Sequence, residues 1–147
     1  MYALTKSDAK VIDSFDEISA IGHRIVQGGS IFPNSCLVTP EVIDKIEELG
    51  ALAPLHNPAH VLAIRACIKT FGDKIPQVVV FDTSFHQTMP PKAYMYPLPY
   101  EYYEKYGVRK YGAHGTSHRF VSDRVAAIEG KPKKDLKIIT CHLGNGC

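Results

Sequence analysis

Asp82 stands directly after the apolar run Val78-Val-Val-Phe81, where a buried strand would end. A carboxylate there can hold a magnesium-bound substrate or align a nucleophile; it can also simply cap the next turn. Arg24 lies late in a second β-rich stretch, shortly before Gly28-Gly29. Its planar fork suits a carboxylate or a phosphate, although an isolated arginine also serves in surface ion pairs. His114 and His118 are four residues apart in Gly112-Ala-His-Gly-Thr-Ser-His118. On one helix that spacing can bind a metal. Gly115 and Thr116, however, place a helix start between them, so His114 falls in the loop. There it can join the amides of the helix start in stabilising an anion. His118 taken alone reads as a packed, hydrogen-bonded histidine. His56 precedes Asn57-Pro58, a helix start where it can touch an anion or leave Asn57 to cap.

Gly144-Asn145-Gly146 follows the apolar run that begins at Leu136. Glycines after a strand let backbone N–H groups approach a phosphate. The same dipeptide also makes hairpin turns. A chain that stops at Cys147, within such a loop, is expected to be part of a larger machine.

These residues need a scaffold, and the sequence supplies one. Ile18 to Val26 reads as a strand. Thr39-Pro40 starts a helix whose Val42, Ile43, Ile46 and Leu49 share one face, and Gly50 can end it. Asn57-Pro58 starts another, carrying Val61, Leu62, Ile64 and Ile68 up to Gly72. Gln77 to Phe81 is a solidly apolar strand of the kind buried on both faces. A proline- and tyrosine-rich stretch at 89–103 predicts irregular chain with a short helix up to Gly107. Its tyrosines, Tyr94 to Tyr111, read as packing residues rather than base-stacking ones, since no basic stripe runs between them. Thr116 or Ser117 caps a helix that Gly130 ends, and Leu136 to Cys141 is a final strand. Strands separated by helices predict an α/β fold with a mixed, partly parallel sheet and flanking helices. In such sheets ligands bind beyond the carboxyl ends of the strands, where Arg24, Asp82 and His142 to Gly146 all fall.

At 147 residues with 45% hydrophobic and 22% charged content, the chain has the composition of an ordinary soluble domain. A net charge of +2 gives no reason to expect nucleic acid or an anionic membrane. No apolar run approaches the roughly 20 residues of a membrane span, and the start lacks a signal-peptide pattern. The four cysteines form no Cys-x-x-Cys pair, so free thiols in a reducing cytoplasm are expected.

Taken in order, five blocks resemble the acetate kinase family of short-chain acyl kinases. They are Gly22-His-Arg-Ile-Val-Gln-Gly-Gly29, Leu52-Ala-Pro-Leu-His-Asn-Pro58, Val80-Phe-Asp-Thr-Ser-Phe-His-Gln-Thr-Met-Pro90, Tyr111-Gly-Ala-His-Gly-Thr-Ser-His-Arg119 and Thr140-Cys-His-Leu-Gly-Asn-Gly146. The resemblance implies the actin, Hsp70 and sugar-kinase (ribonuclease H-like) fold. It also implies reversible transfer of the ATP γ-phosphoryl to acetate with Mg²⁺, in a cytoplasmic homodimer. It casts Arg24 as the arginine that binds the carboxylate and the transition state, Asp82 as the catalytic aspartate and His114 as the histidine on the transferring phosphoryl. His56 would support that phosphoryl, Val26 and Leu55 would line the methyl pocket, and Gly144, Asn145 and Gly146 would begin the nucleotide loop. Residues 1–135 would form an incomplete N-terminal acyl-binding domain, and 136–147 the first strand and phosphate loop of a nucleotide domain.

Departures bear on this reading. The family's N-terminal Asn-x-Gly-Ser-Ser-Ser loop is missing, as is the nucleotide half beyond Cys147, so the chain alone is expected to be inactive. Ala113 replaces a usual phenylalanine beside the acyl group, and Gln27 a frequent histidine. A propionate- or butyrate-type acyl kinase, and a non-catalytic module that binds small acids or phosphate or dimerises, are the alternatives.

Overall fold

Among the described residues three short strands carry the molecule: β1 (Ile21–Ile25), β2 (Cys36–Leu37) and β3 (Gln77–Phe81). A computed structural model describes residues 2–144 and arranges these strands in the order β1-β3-β2. β1 runs parallel to β3, from Ile21 opposite Gln77 to Ile25 opposite Phe81. β2 is antiparallel to β3, with Cys36 opposite Val79 and Leu37 opposite Val78. The expected mixed, partly parallel sheet is therefore present. β1 is shorter than the expected 18–26, because pairing with β3 sets its ends.

Six helices accompany the strands among the described residues: α1 (Tyr2–Thr5), α2 (Pro40–Glu48), α3 (Asn57–Phe71), α4 (Pro91–Tyr94), α5 (Tyr100–Tyr106) and α6 (Gly115–Glu129). α2 and α3 form part of the crossover that a parallel β1–β3 pair requires. They cover one sheet face, setting Ile43, Ile46, Val61 and Ile64 against Ile25, Val79 and Phe81. Phe32 stacks on Phe81 with ring centres 4.3 Å apart. Each such burial contributes about 1.5–3 kcal/mol. The other face, carrying Val78 and Val80, is only half-covered. β3 is thus not dry on both faces, because both long crossover helices lie on the Val79 side.

Helix starts follow local chemistry where side chains are free to cap. Thr39 Oγ1 accepts the Val42 N–H at 3.3 Å, with Pro40 in the first turn of α2. α3 departs from expectation: His56 is its N-cap residue without a side-chain bond, and Asn57 lies inside the helix. The Asn57 amide is fully buried. It donates to Gln27 O at 3.0 Å and Ile46 O at 3.1 Å, and accepts from Gln27 N at 3.3 Å. Stapling three elements together outcompetes capping one.

α6 begins at Gly115 rather than after Thr116 or Ser117, with His114 as its N-cap residue. The hydroxyls expected to cap it bond elsewhere. The tyrosines do pack together, Tyr100 and Tyr94 each against Tyr103, while the Arg109 guanidinium lies 3.7 Å over Tyr94. Leu136 to Cys141 is not a strand, for no neighbouring strand supplies a ladder among the described residues. Cys36, Cys67 and Cys141 are free. Among the described residues no helix is long and apolar enough to cross a membrane.

Candidate active site

The parallel register brings Arg24 beside β3, opposite Val80 and two residues short of Asp82. At Asp82 the strand ends in a 3-10 turn, Asp82–His86, which sinks the carboxylate into the protein. Arg24 clasps it from outside. Nε donates to Oδ1 at 3.2 Å and Oδ2 at 3.1 Å, and Nη2 to Oδ2 at 2.6 Å. Thr116 Oγ1 donates to Oδ1 at 2.8 Å. Burial resists ionisation of Asp82, but the hydrogen bonds from Arg24 and Thr116 and the Arg24 charge overcome it. They hold the carboxyl below the usual carboxylate range. In return, the Asp82 hydrogen bond raises Arg24 further against the cost of burial. The Asp82 side chain is 1% exposed and that of Arg24 52%, so the cation stays within reach of an incoming anion.

Glycine makes this junction possible. A Cβ at residue 115 would sit 1.8 Å from the Asp82 carbonyl oxygen. Only a residue without one lets the first turn of α6 lie against the end of β3. His114, immediately before it, holds φ 50° and ψ 28°. It is the one non-glycine residue of positive φ among those described, a conformation costing about 1–2 kcal/mol that clusters at functional sites. Its ring lies on His142, with centres 4.4 Å apart and planes 18° apart. Ser117 Oγ hydrogen-bonds His142 Nδ1 at 2.9 Å.

Arg24, Asp82, His114, Thr116, Ser117, Phe120 and His142 wall one open cavity of about 570 Å³. Of the expected site residues, Arg24, Asp82 and His114 thus meet. Val26 is half-buried, Ala113 and His56 are exposed and Leu55 is 86% exposed; none of these four walls that cavity. Gly144 is exposed at the edge of the described chain, whereas Asn145 and Gly146 lie outside the described residues. His118 is bonded through Nδ1 to Thr140 Oγ1 at 2.7 Å, and no trio of His, Cys, Asp or Glu side chains among the described residues could hold a metal. Sequence reasoning assigned no site role to Thr116, Ser117 or Phe120. His142 carried a signal only through its place beside the glycine turn.

Fold and site together define an α/β protein that presents a buried carboxylate, a clasping arginine and a helix start at the carboxyl ends of its parallel strands. The model of the Acetokinase family matches residues 1–147, and the chain belongs to that family. It is 61% identical over 136 residues to an acetate kinase of Halothermothrix orenii, covering 92% of this chain and 34% of that protein. With an acetate kinase of Thermoanaerobacterium thermosaccharolyticum it shares 58% over 144 residues, 98% of this chain and 36% of the relative. The crystal structure of Porphyromonas gingivalis acetate kinase superposes with a TM-score of 0.93 at 51% identity, over 99% of this chain and 36% of that one. A propionate kinase from Francisella tularensis superposes at 0.76 with 52% identity, over 79% and 30%. The chain therefore spans about a third of its relatives' length. Its fold is part of the actin/Hsp70-like architecture of those kinases.

Proposed function

We propose that this chain is the acyl-binding part of an enzyme that reversibly transfers the γ-phosphoryl of ATP to acetate, giving acetyl phosphate and ADP. The observation that carries this reading is the Arg24–Asp82–Thr116 cluster sharing one cavity with His114. Phosphoryl transfer depends on positioning and charge neutralisation more than on covalent chemistry. Arg24 offers a half-exposed guanidinium to the substrate carboxylate. Asp82 keeps that guanidinium aimed. His114 donates to the transferring phosphoryl as charge builds on its oxygens. The family resemblance further assigns support of that charge to His56 and the border of the acyl group to Val26, Leu55 and Ala113, although none of the four walls this cavity. Residues 1–135 form this acyl side, and 136–147, with Gly144, Asn145 and Gly146, open the nucleotide side.

The described residues do not by themselves suit a metal. Asp82 is the one carboxylate in the cavity wall, and Arg24 and Thr116 occupy both its oxygens. Mg²⁺ fits as a companion of ATP, held chiefly by phosphate oxygens. The reading further expects a cytoplasmic homodimer, and no turnover from the 147-residue chain alone.

Grafting the chain in place of the matching segment of the Halothermothrix orenii acetate kinase tests the proposal. Acetyl phosphate should form, and Arg24→Ala in the graft should lower kcat about 100-fold or more. A folded, inactive graft, or an Arg24→Ala graft of full activity, overturns it. Turnover by the chain alone overturns its expected inactivity. Ala113, smaller than the phenylalanine usual there, should admit longer acids. In the graft, Ala113→Phe should cut the propionate-to-acetate ratio of kcat/KM about tenfold or more.

A further inference from the structure

The Asp82–His86 turn is fastened on several sides. Ser84 Oγ donates to Phe81 O at 2.8 Å and accepts from Arg119 Nη2 of α6 at 3.2 Å. Gln87, the next residue, donates to Gly29 O at 2.8 Å. The loop from Gly107 to His114 is tied less evenly. Lys110 N bonds Tyr94 O at 2.8 Å, and the Tyr111 hydroxyl bonds Gly107 O at 2.7 Å. From Tyr111 to Ala113 the main chain makes no backbone–backbone hydrogen bond among the described residues. His86, the last residue of the turn, holds it instead. Its Nε2 bonds Ala113 O at 2.9 Å. Gly112 lies so close on the imidazole that a Cβ there would sit 2.2 Å from Cγ and Cδ2. With φ at 83°, Gly112 also has a backbone that favours glycine.

We infer that His86 is a positioning residue: its Nε2–H, bonded to Ala113 O, seats the loop so that His114 keeps its left-handed backbone and stands in the cavity with Asp82. One turn thus aligns both groups, Asp82 at its start and His114 through its end. That His114 acts in phosphoryl transfer rests on the kinase reading; the seating does not.

A carbonyl oxygen accepts and cannot donate, so His86 Nε2 carries the hydrogen. The neutral Nε2–H ring and the imidazolium both supply it, so the seat needs no particular pH. A φ of 50° at a residue with a Cβ persists only where the surroundings over-determine it. Two anchors bracket His114. Behind it, Gly115 is packed against the Asp82 carbonyl oxygen. Ahead of it, the His86 bond fixes Ala113. The His114 ring is thereby held on His142, with centres 4.4 Å apart. His86 itself does not wall the cavity, so it acts through the loop.

NMR of the 147-residue chain tests the seat without turnover. Above the usual histidine pKa of about 6.5, the imidazole nitrogen-15 shifts of His86 should show hydrogen on Nε2. Hydrogen on Nδ1 overturns the inference with no variant needed. Ring-to-ring NOEs between His114 and His142 report the stack. His86→Leu, close to histidine in volume but unable to donate, should lose them. His86→Gln, whose side-chain amide can donate to Ala113 O, should keep them. A stack retained in His86→Leu, or lost alike in both variants, overturns the inference. In the active graft, His86→Leu should lower kcat about tenfold or more with KM for acetate unchanged, because Arg24 and Asp82 keep their own bonds. His86→Gln should restore most of that kcat. An unchanged kcat in His86→Leu, a KM raised in step with the loss, or a His86→Gln graft no better than His86→Leu overturns the positioning role. The expected NMR behaviour together with an inactive graft would count against the kinase reading alone.

Discussion

Asp82 is ionised although fully buried, and the residues responsible can be ranked by substitution. Arg24→Met takes away the charged donor and leaves the carboxylate to Thr116. With the guanidinium half in solvent, the loss should be about 2–3 kcal/mol. Thr116→Val removes one neutral donor and should cost about 1 kcal/mol. Urea midpoints that reverse this order would mean Thr116, not Arg24, sustains the charge. Because Asp82 is shifted down in the folded protein, its stabilisation is present above the unfolded carboxylate value of about 3.9 and disappears as pH falls through the folded one. Asp82→Asn should flatten that acid limb in circular-dichroism unfolding; an unchanged limb would assign it to other carboxylates. Arg24 and Asp82 were each legible as polar residues at strand ends. Their bond was not, because it depends on a register between strands far apart in sequence. Thr116 read as a cap for the same reason: its partner lies 34 residues away.

At the level of elements, the periodic apolar residues located α2, α3 and β3 well, since those faces meet the core directly. Boundaries failed where a polar side chain had a better distant partner, as Asn57 and Thr116 do. The junction of α6 with β3 depends on Gly115. Gly115→Ala would drive a Cβ into the Asp82 carbonyl, and should cost about 3 kcal/mol or more. A melting temperature within a degree of the parent's would show that α6 can retreat without loss. The expected strand at 136–141 shows the limit of pattern reading: an apolar run marks a chain able to pair, but pairing needs a neighbour.

For the whole molecule, apolar surface is unevenly distributed. Phe120 and Ile128 on α6 are 70% and 71% exposed, and Ile139 and Leu143 beyond it 92% and 90%. β1 also has a free outer edge among the described strands. Both features favour self-association. Sedimentation velocity should show mass rising with concentration, and the Phe120→Glu, Ile139→Glu double variant should shift it back toward monomer. A monomer across the concentration range would contradict this.

The clasp between Arg24 and Asp82 spans 58 positions of chain, and this governs when the site comes into being. Closing so long a loop is slow, because its entropy is lost before the contact is gained. On the ribosome, Arg24 has left the tunnel long before its carboxylate partner and the Thr116 hydroxyl follow. The clasp can therefore form only once β3 has been made, and the corner is complete only after Thr116 has emerged.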